Sequence, residues 1–534
     1  MALLRSTAVI GINTLLSRVL GYLRDILTAR EFGTTGIMEA FVVAWRFPNL
    51  FRRLVAEGAF AAAFVPMYAK KFERDGKEQA LAFAGNMLAW LILFLLAFTV
   101  AAEIFMAEVM AVVAPGFRAD LALFELCVLY ARLTLPYLVC MAVVALLSGV
   151  LNTSRKFAMA AAAPALLNAT IILGILFAIP WFKSGGHMLA WAVAIAGILQ
   201  YVWLGYACWQ AGLRVGLPVP RLTQSARRLL KSMVPGIIGG GASQINIIIG
   251  TAIGSFIATA VPVLYYADRI YEFPLSMIGI AIGTALLPEL SRRIHGAPAT
   301  AVPLQNRAVE LSLLLALPAA AALVVVAEPI CVAMFQYGKF TLADARNTAA
   351  VLAAFATGLP AYVLIRVLVP GYYAREDLRT PVRCAVIAVI ANTALSILLV
   401  WPPFGLPSLS FVGIAVATAI AAWVNALLLG IGLWRRKHFH LDAQLKRRLP
   451  RLLLAALGMA AALVPLGQWT APWLQAGLTR RVHAIALLVF AGMALYALLC
   501  LVLRVTTIAE LRQSLQRGRA KPGAKPLPSP TNIE

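Results

Sequence analysis

Eight arginines, Arg18, Arg24, Arg46, Arg52, Arg53, Arg132, Arg269 and Arg366, fall inside stretches that are otherwise apolar. An arginine near the middle of a bilayer costs roughly 2.5 to 3.5 kcal/mol on insertion scales, so several in one chain imply a shared polar cavity with something anionic in it. The chemistry on offer is anion binding, because each guanidinium carries fixed paired donors that match phosphate geometry. In SRVLGYLRDILTAR, which begins at Ser17, Arg18, Gly21, Tyr22 and Asp25 recur every three or four residues and share one helical face. Arg24 lies about 120° from Arg18 on an ideal wheel, so both reach one ligand only if a side chain or the helix bends. A second stretch carries Glu39, Arg46, Pro48, Asn49, Arg52, Arg53, Glu57 and Gly58. Pro48 and Gly58 flank its charges and predict a bent or broken helix, a form tolerated at membrane depth where it lines a wet cavity. A third, YYADRIYEFP, holds Asp268, Arg269 and Glu272 within one turn.

The elements that must position these groups follow from composition. Of the 534 residues 62% are hydrophobic and 13% charged, against about 25% charged in soluble domains. Apolar runs long enough to span a hydrocarbon core recur almost end to end, and they lack the alternation of a β-barrel. The expected fold is therefore an all-α polytopic membrane protein with fourteen transmembrane helices. Net charge is +24, yet the basic residues are spread by loop rather than gathered on one domain, which argues against nucleic acid as a partner. Placing both termini in the cytoplasm puts most Lys and Arg there, including Lys70, Lys71, Arg74 and Lys77 and the run Arg435, Arg436 and Lys437. The first span has no small-residue cleavage site after it and reads as a retained helix. Six cysteines without CxxC spacing read as packed thiols, and the five histidines form no ligand set, so no metal or other cofactor is expected.

An internal repeat organises the helices. GAFAAAFVPMYAKK from Gly58 superposes on IAIGTALLPELSRR from Ile280, pairing Ala59 with Ala281 and Pro66 with Pro288 at an offset of 222. Leu135, Pro136 and Asn168 match Leu359, Pro360 and Asn392 at an offset of 224. An offset of six helices preserves direction, so two six-helix lobes, residues 1–214 and 225–436, should be related by a pseudo-twofold axis along the membrane normal. Two further helices in 451–504 lack a counterpart, and 505–534 is a basic tail expected to be disordered.

Several readings of the charged set stay open at this stage. Arg24 with Asp25, or Arg269 with Glu272, could be ion pairs that hold the bundle together, and Arg52 with Arg53 could snorkel to an interface, as Arg132 and Arg366 could. If Arg18, Arg24, Arg46, Arg52 and Arg269 all face inward, cations outnumber carboxylates, which favours a phosphate-bearing ligand over a cationic drug. No phosphate loop, HExxH or GxSxG occurs, and no loop is long enough for a soluble catalytic domain, so an enzyme is not expected. Any transport must draw on the membrane potential or an ion gradient, with the ion unspecified. A scaffold in which the charged helices are only structural is a third class.

The stretches SRVLGYLRD, EAFVVAWRFPNLFRRLVAEGAFAAAFVP, ADRIYEFP and PGYYAREDLRTPV resemble those of the lipid II flippase family, MurJ or MviN, of the multidrug/oligosaccharidyl-lipid/polysaccharide exporter superfamily. The resemblance covers essentially the whole chain. It implies movement of a lipid-linked peptidoglycan precursor from the inner to the outer leaflet of a bacterial inner membrane by alternating access. It further implies that Arg18, Arg24, Asp25, Arg52 and Arg269 lie in a central cavity that holds the lipid-linked diphosphate, and that Glu57 and Gly58 sit at the bend of the second helix. Ser17, Glu39, Arg46, Asn49, Asp268 and Glu272 are expected to line or gate the same cavity. The last two helices are expected to form a groove for the lipid tail, and cell-wall synthases are candidate partners; the alternatives are an exporter of another polyprenyl-linked glycan and a non-transport scaffold of cell-wall synthesis. Glu39 stands where the family commonly has Asp, and Arg46 where it frequently has Lys; both keep the charge and alter the geometry.

Overall fold

Each apolar run becomes a helix because a peptide group in hydrocarbon has no partner except its own chain. The computed structural model describes residues 2–296, 300–403 and 407–505, and leaves the side chains of 1–10, 55–57, 235, 238–240, 242–243, 280–285 and 295 outside the description. The expected basic tail, apart from Val505, and the Ala281 side chain therefore lie outside the described residues. The first half comprises α1 (Ala2–Phe32), α2 (Gly36–Phe51), a π-helical segment (Arg52–Phe60), α3 (Ala61–Arg74), α4 (Gly76–Ile104), α5 (Met106–Val113), α6 (Leu121–Thr134), α7 (Tyr137–Thr153), α8 (Phe157–Leu173) and α9 (Gly185–Gln210). The second comprises α10 (Gln224–Gly254), α11 (Ala260–Gly296), α12 (Ala301–Val325), α13 (Ala327–Phe335), α14 (Leu342–Tyr373), α15 (Arg379–Val400) and α16 (Ser410–Arg435), followed by α17 (Ala443–Leu474) and α18 (Leu478–Val502). Among the described residues ten helical runs are long and apolar enough to cross a membrane, and none is a strand. The other four predicted spans, α1, α2 to α3, α10 and α11, are those that carry the charged segments or pass through residues outside the description.

The packing recurs along the chain. In the first half α1 lies against α8, and α9 against both α7 and α8; in the second α10 lies against α15, and α16 against both α14 and α15. A polar contact recurs with it. Asn168 on α8 accepts from Arg24 on α1 at 3.0 Å, and Asn392 on α15 donates to Asn246 on α10 at 2.6 Å. Arg24 and Asn246 are separated by the repeat offset, as are Asn168 and Asn392.

The second span is continuous rather than broken. Helix α2 runs through the buried Pro48 into the π-helical segment and on into α3. The wide turn explains Gly58: a Cβ there would stand 2.6 Å from the Arg53 carbonyl oxygen. Only glycine fits without moving the backbone.

The last two helices are tied to the second half by charge. Glu310 on α12 receives Arg307 from its own helix and Arg448 from α17 at 2.5 Å, while Arg307 also reaches Asp442, which caps α17. Glu310 is only 12% exposed. Replacing Glu310 by Ala leaves two guanidinia without their shared partner and is expected to cost about 3 kcal/mol. The check is a lower thermal midpoint in detergent together with faster proteolysis after α16.

At the α14–α15 turn, Asp377 accepts from the Thr380 hydroxyl at 2.6 Å and from Arg436 at 2.5 Å. Burial pushes its carboxyl upward, but the Thr380 and Arg436 hydrogen bonds outweigh it and hold the pKa at about 2. A carboxylate depressed in the folded state stabilises fully above its unfolded pKa and loses that contribution as pH falls through the folded value. The tie should weaken between about pH 4 and about pH 2. Asp377→Asn should flatten the acid limb of a stability-against-pH curve there.

Candidate functional site

The charged segments of α2, the π-helical segment and α11 meet at one cavity. A cavity of about 370 Å³ is lined by α2, the π-helical segment, α5, α10, α11, α14, α15 and α16. Its charged wall is three guanidinia, Arg46, Arg53 and Arg269, against two carboxylates, Asp268 and Glu272. Arg269 bonds Glu272 at 3.3 Å, Arg53 approaches the same carboxylate at 3.7 Å, and the Arg269 guanidinium lies 4.9 Å from the centre of the Tyr265 ring. Arg46 crosses between halves to donate to Thr251 on α10. Asn49 lines the same wall.

Behind this wall a polar relay runs through α1. Arg24 donates to Asp25 at 2.7 Å and to Asn168, and Asp25, 3% exposed, accepts from the Tyr265 hydroxyl at 3.3 Å. Tyr265 is the ring beneath Arg269. Tyr22 adds a second link, donating to the Arg269 carbonyl at 3.5 Å. The Arg269 position is thus fixed from α1, its own helix and the π-helical segment together.

The sequence-predicted residues divide accordingly. Arg46, Asn49, Asp268, Arg269 and Glu272 are brought onto the cavity wall. Arg24 and Asp25 form a buried ion pair outside that wall, and Ser17 supplies the carbonyl that accepts from Asn168. Arg52 bonds Asn49 on its own helix at 2.7 Å, and it is the neighbouring Arg53 that faces the cavity. Arg18 is half-buried and off the wall. Glu39 is buried near the start of α2, away from the cavity. The Glu57 side chain lies outside the described residues.

Sequence reasoning passed over Gln244, Asn246, Thr251, Thr418 and Asn425, all on the cavity wall. Their signal was polarity inside apolar runs. The Tyr271 hydroxyl, Asn425 Oδ1 and Arg269 Nε are buried without a protein partner, an uncommon state that water or a polar ligand would relieve.

The helices are sewn together at the end remote from the basic loops. Lys339 donates its backbone N–H to the Arg30 carbonyl at 2.8 Å, Thr34 donates to Asp344 at 2.6 Å, and the Lys339 ammonium stands 3.5 Å from Glu31. Gly33 and Gly338 take left-handed backbones at φ 57° and 56°, and a Cβ on Gly33 would come within 2.6 Å of the Lys339 carbonyl oxygen. The two turns close on each other because both are glycine.

Fold and site define the class: a polytopic helical membrane protein with a charged hollow lined by residues of both helical halves. A family model described as lipid II flippase MurJ matches residues 28–483. Proteins named probable lipid II flippase MurJ from Rhizobium meliloti and Rhizobium tropici are 41% and 39% identical, covering 97% and 98% of both chains. Lipid II flippase MurJ of Burkholderia cenocepacia is 36% identical over 86% of this chain and 89% of its own. The chain belongs to the lipid II flippase MurJ family. In fold it also matches a solved lipid II flippase MurJ in an inward closed conformation (TM-score 0.76, 23% identity, 95% of this chain and 99% of that one). An inward-facing multidrug resistance MATE family transporter of the MOP superfamily is more distant (TM-score 0.66, 14% identity, 79% and 94%).

Proposed function

We propose that the protein moves lipid II from the inner to the outer leaflet of a bacterial inner membrane by alternating access, with the diphosphate held by the cavity arginines. The carrying observation is that Arg46, Arg53 and Arg269, drawn from both halves, converge on one wall with buried polar atoms still lacking partners. Three guanidinia against two carboxylates leave a net positive wall, which suits a diphosphate and repels a cationic drug. We read both termini as cytoplasmic, so the sewn end is the outer one. Residues 1–214 and 225–436 act as the two rocking lobes, and α17 and α18 pack on the second. Arg24 and Asp25 hold Tyr265, and through it Arg269, in place.

The membrane potential favours this direction. Moving two negative charges outward gains about 4.6 kcal/mol per 100 mV across the full field, at roughly 2.3 per charge, and less when bound arginines neutralise part of it. An emptied cationic cavity is drawn back by the same field. The experiment is depletion of the protein in its own cells, followed by an externally added label that reacts only with outward-facing lipid II. The expected result is loss of outer-leaflet label with precursor retained inside. Undiminished labelling in cells without another flippase overturns the proposal.

A further inference from the structure

Arg481 stands near the start of α18, where a cation opposes its own helix dipole, so something outside that helix accounts for it. Its Nε donates to the Leu474 carbonyl at the end of α17 at 2.5 Å. Its Nη1 donates to the Gln336 carbonyl at the end of α13 at 2.8 Å and approaches the Val332 carbonyl at 3.4 Å. One guanidinium thus closes the C-termini of two helices, where carbonyls lack partners in their own helix and a cation is favoured. The same group lies 4.7 Å from the centre of the Tyr337 ring, and the Tyr337 hydroxyl is fixed in turn on the Ala333 carbonyl at 2.9 Å. Gln336 and Tyr337 run directly into Gly338 and Lys339, the turn that meets Arg30 and Glu31 at the sewn end.

We infer that Arg481 is a positioning residue for closure of the sewn end: through it the appended helices α17 and α18 hold the turn before α14 where Lys339 can meet α1. The inference rests on the reading above only for the statement that this end opens during transport. Two observations carry it. The turn between α13 and α14 spans residues 336–340 and contains Gly338 at φ 56°, so its shape depends on what grips its two ends. Arg481 grips the first, and the capping box of Thr341 and Asp344 grips the second. The other polar ties of α17 and α18 also go elsewhere. Arg448 to Glu310 and Tyr496 to the Leu314 carbonyl, at 2.9 Å, both reach α12, and so fasten the two helices to the second half without touching the turn.

The test places Thr34→Cys and Asp344→Cys together in the full-length protein and adds a short bis-thiosulfonate reagent. Closed molecules, in which the two positions touch, are bridged; open molecules take up one reagent at each cysteine. The ratio of bridged to doubly capped protein therefore reads closure, whatever the amount of protein that accumulates. Arg481→Ala removes charge-assisted hydrogen bonds and should lower the ratio roughly ten-fold. Arg481→Lys keeps the charge at the helix ends but loses the planar fork, and should fall between Ala and the parent. Tyr496→Phe loosens the same pair of helices away from the turn and should match the parent. An unchanged ratio in Arg481→Ala overturns the inference, and so does an equal fall in Tyr496→Phe, which would mean that any loosening of the two helices suffices. Should Arg481→Ala fail to accumulate, Arg481→Gln takes its place under the same two criteria. The bridging assay contains no lipid II step, so an unchanged ratio leaves the flippase reading standing, and failure of that reading in the labelling experiment leaves a lowered ratio standing.

Discussion

Arg269→Ala is expected to stop export while the protein remains in the membrane at its usual level. The side chain is 25% exposed, bonded to Glu272 and stacked on Tyr265, with Nε buried and unpaired. Removing it changes the wall from three cations and two carboxylates to two and two, erasing the surplus on which the proposed diphosphate site rests. Truncating one member of a buried charge contact costs about 2 to 5 kcal/mol, so binding should fall roughly 30-fold or more. Arg269→Lys keeps the charge but loses the paired donors, and should retain part of the activity. Precursor should accumulate on the inner leaflet in proportion to these losses. Export at the normal rate by Arg269→Ala would falsify the role of the arginine wall, and purely structural damage would instead appear as lost protein.

How far the sequence leads is clearest at Arg52 and Arg53. Composition and hydropathy are enough to place both in a helix at membrane depth, because the bilayer admits few alternatives. Adjacent residues differ by about 100° on an α-helix, so only one can face a given cavity, and an α-helical period carried from Arg46 favours Arg53, about 20° out of phase, over Arg52. The family resemblance points to Arg52, yet the wall carries Arg53, in phase with Arg46, and what periodicity does not announce is the π turn that opens at Arg52. Gly58 is the one local hint.

Arg24 teaches a different lesson. Its neighbour Asp25 is visible in the sequence, but the third partner, Asn168, lies 144 residues away. Charge in a span is legible; whether it is spent inside the bundle or offered to a ligand depends on which helix packs beside it. The repeat offered the missing information, because Asn168 and Asn392 occupy matched positions and each meets the helix that opens its own half. The contact between Thr34 and Asp344 had no such signal, since it joins two short turns 310 residues apart.

That contact sets the second large effect. If rocking of the lobes is obligatory, bridging the sewn end should halt transport altogether. Thr34→Cys with Asp344→Cys, linked by a short bis-thiosulfonate reagent, replaces a 2.6 Å hydrogen bond by a covalent tie. Export should fall to background and return when reductant cuts the bridge, while either single cysteine treated alike remains active. Weakening the same seam has the opposite sign. Thr34→Val removes a hydrogen bond to a charged acceptor worth about 1.5 to 3 kcal/mol, enough to shift an inward/outward equilibrium roughly ten-fold or more toward the open outer end. Accessibility of a cysteine at Lys339 to a membrane-impermeant reagent reads that shift directly. A bridged protein that still exports would mean that the substrate passes without separating these turns, and the alternating-access mechanism would have to be abandoned for this chain. The two measurements bear on one energy difference: the seam must be strong enough to close the outer end when the cavity is empty, and weak enough for a bound diphosphate to open it. A complete reversal from 1:99 to 99:1 needs about 5.5 kcal/mol of differential binding. Two hydrogen bonds and an ion pair at the seam are few enough for a doubly charged ligand on three arginines to overcome.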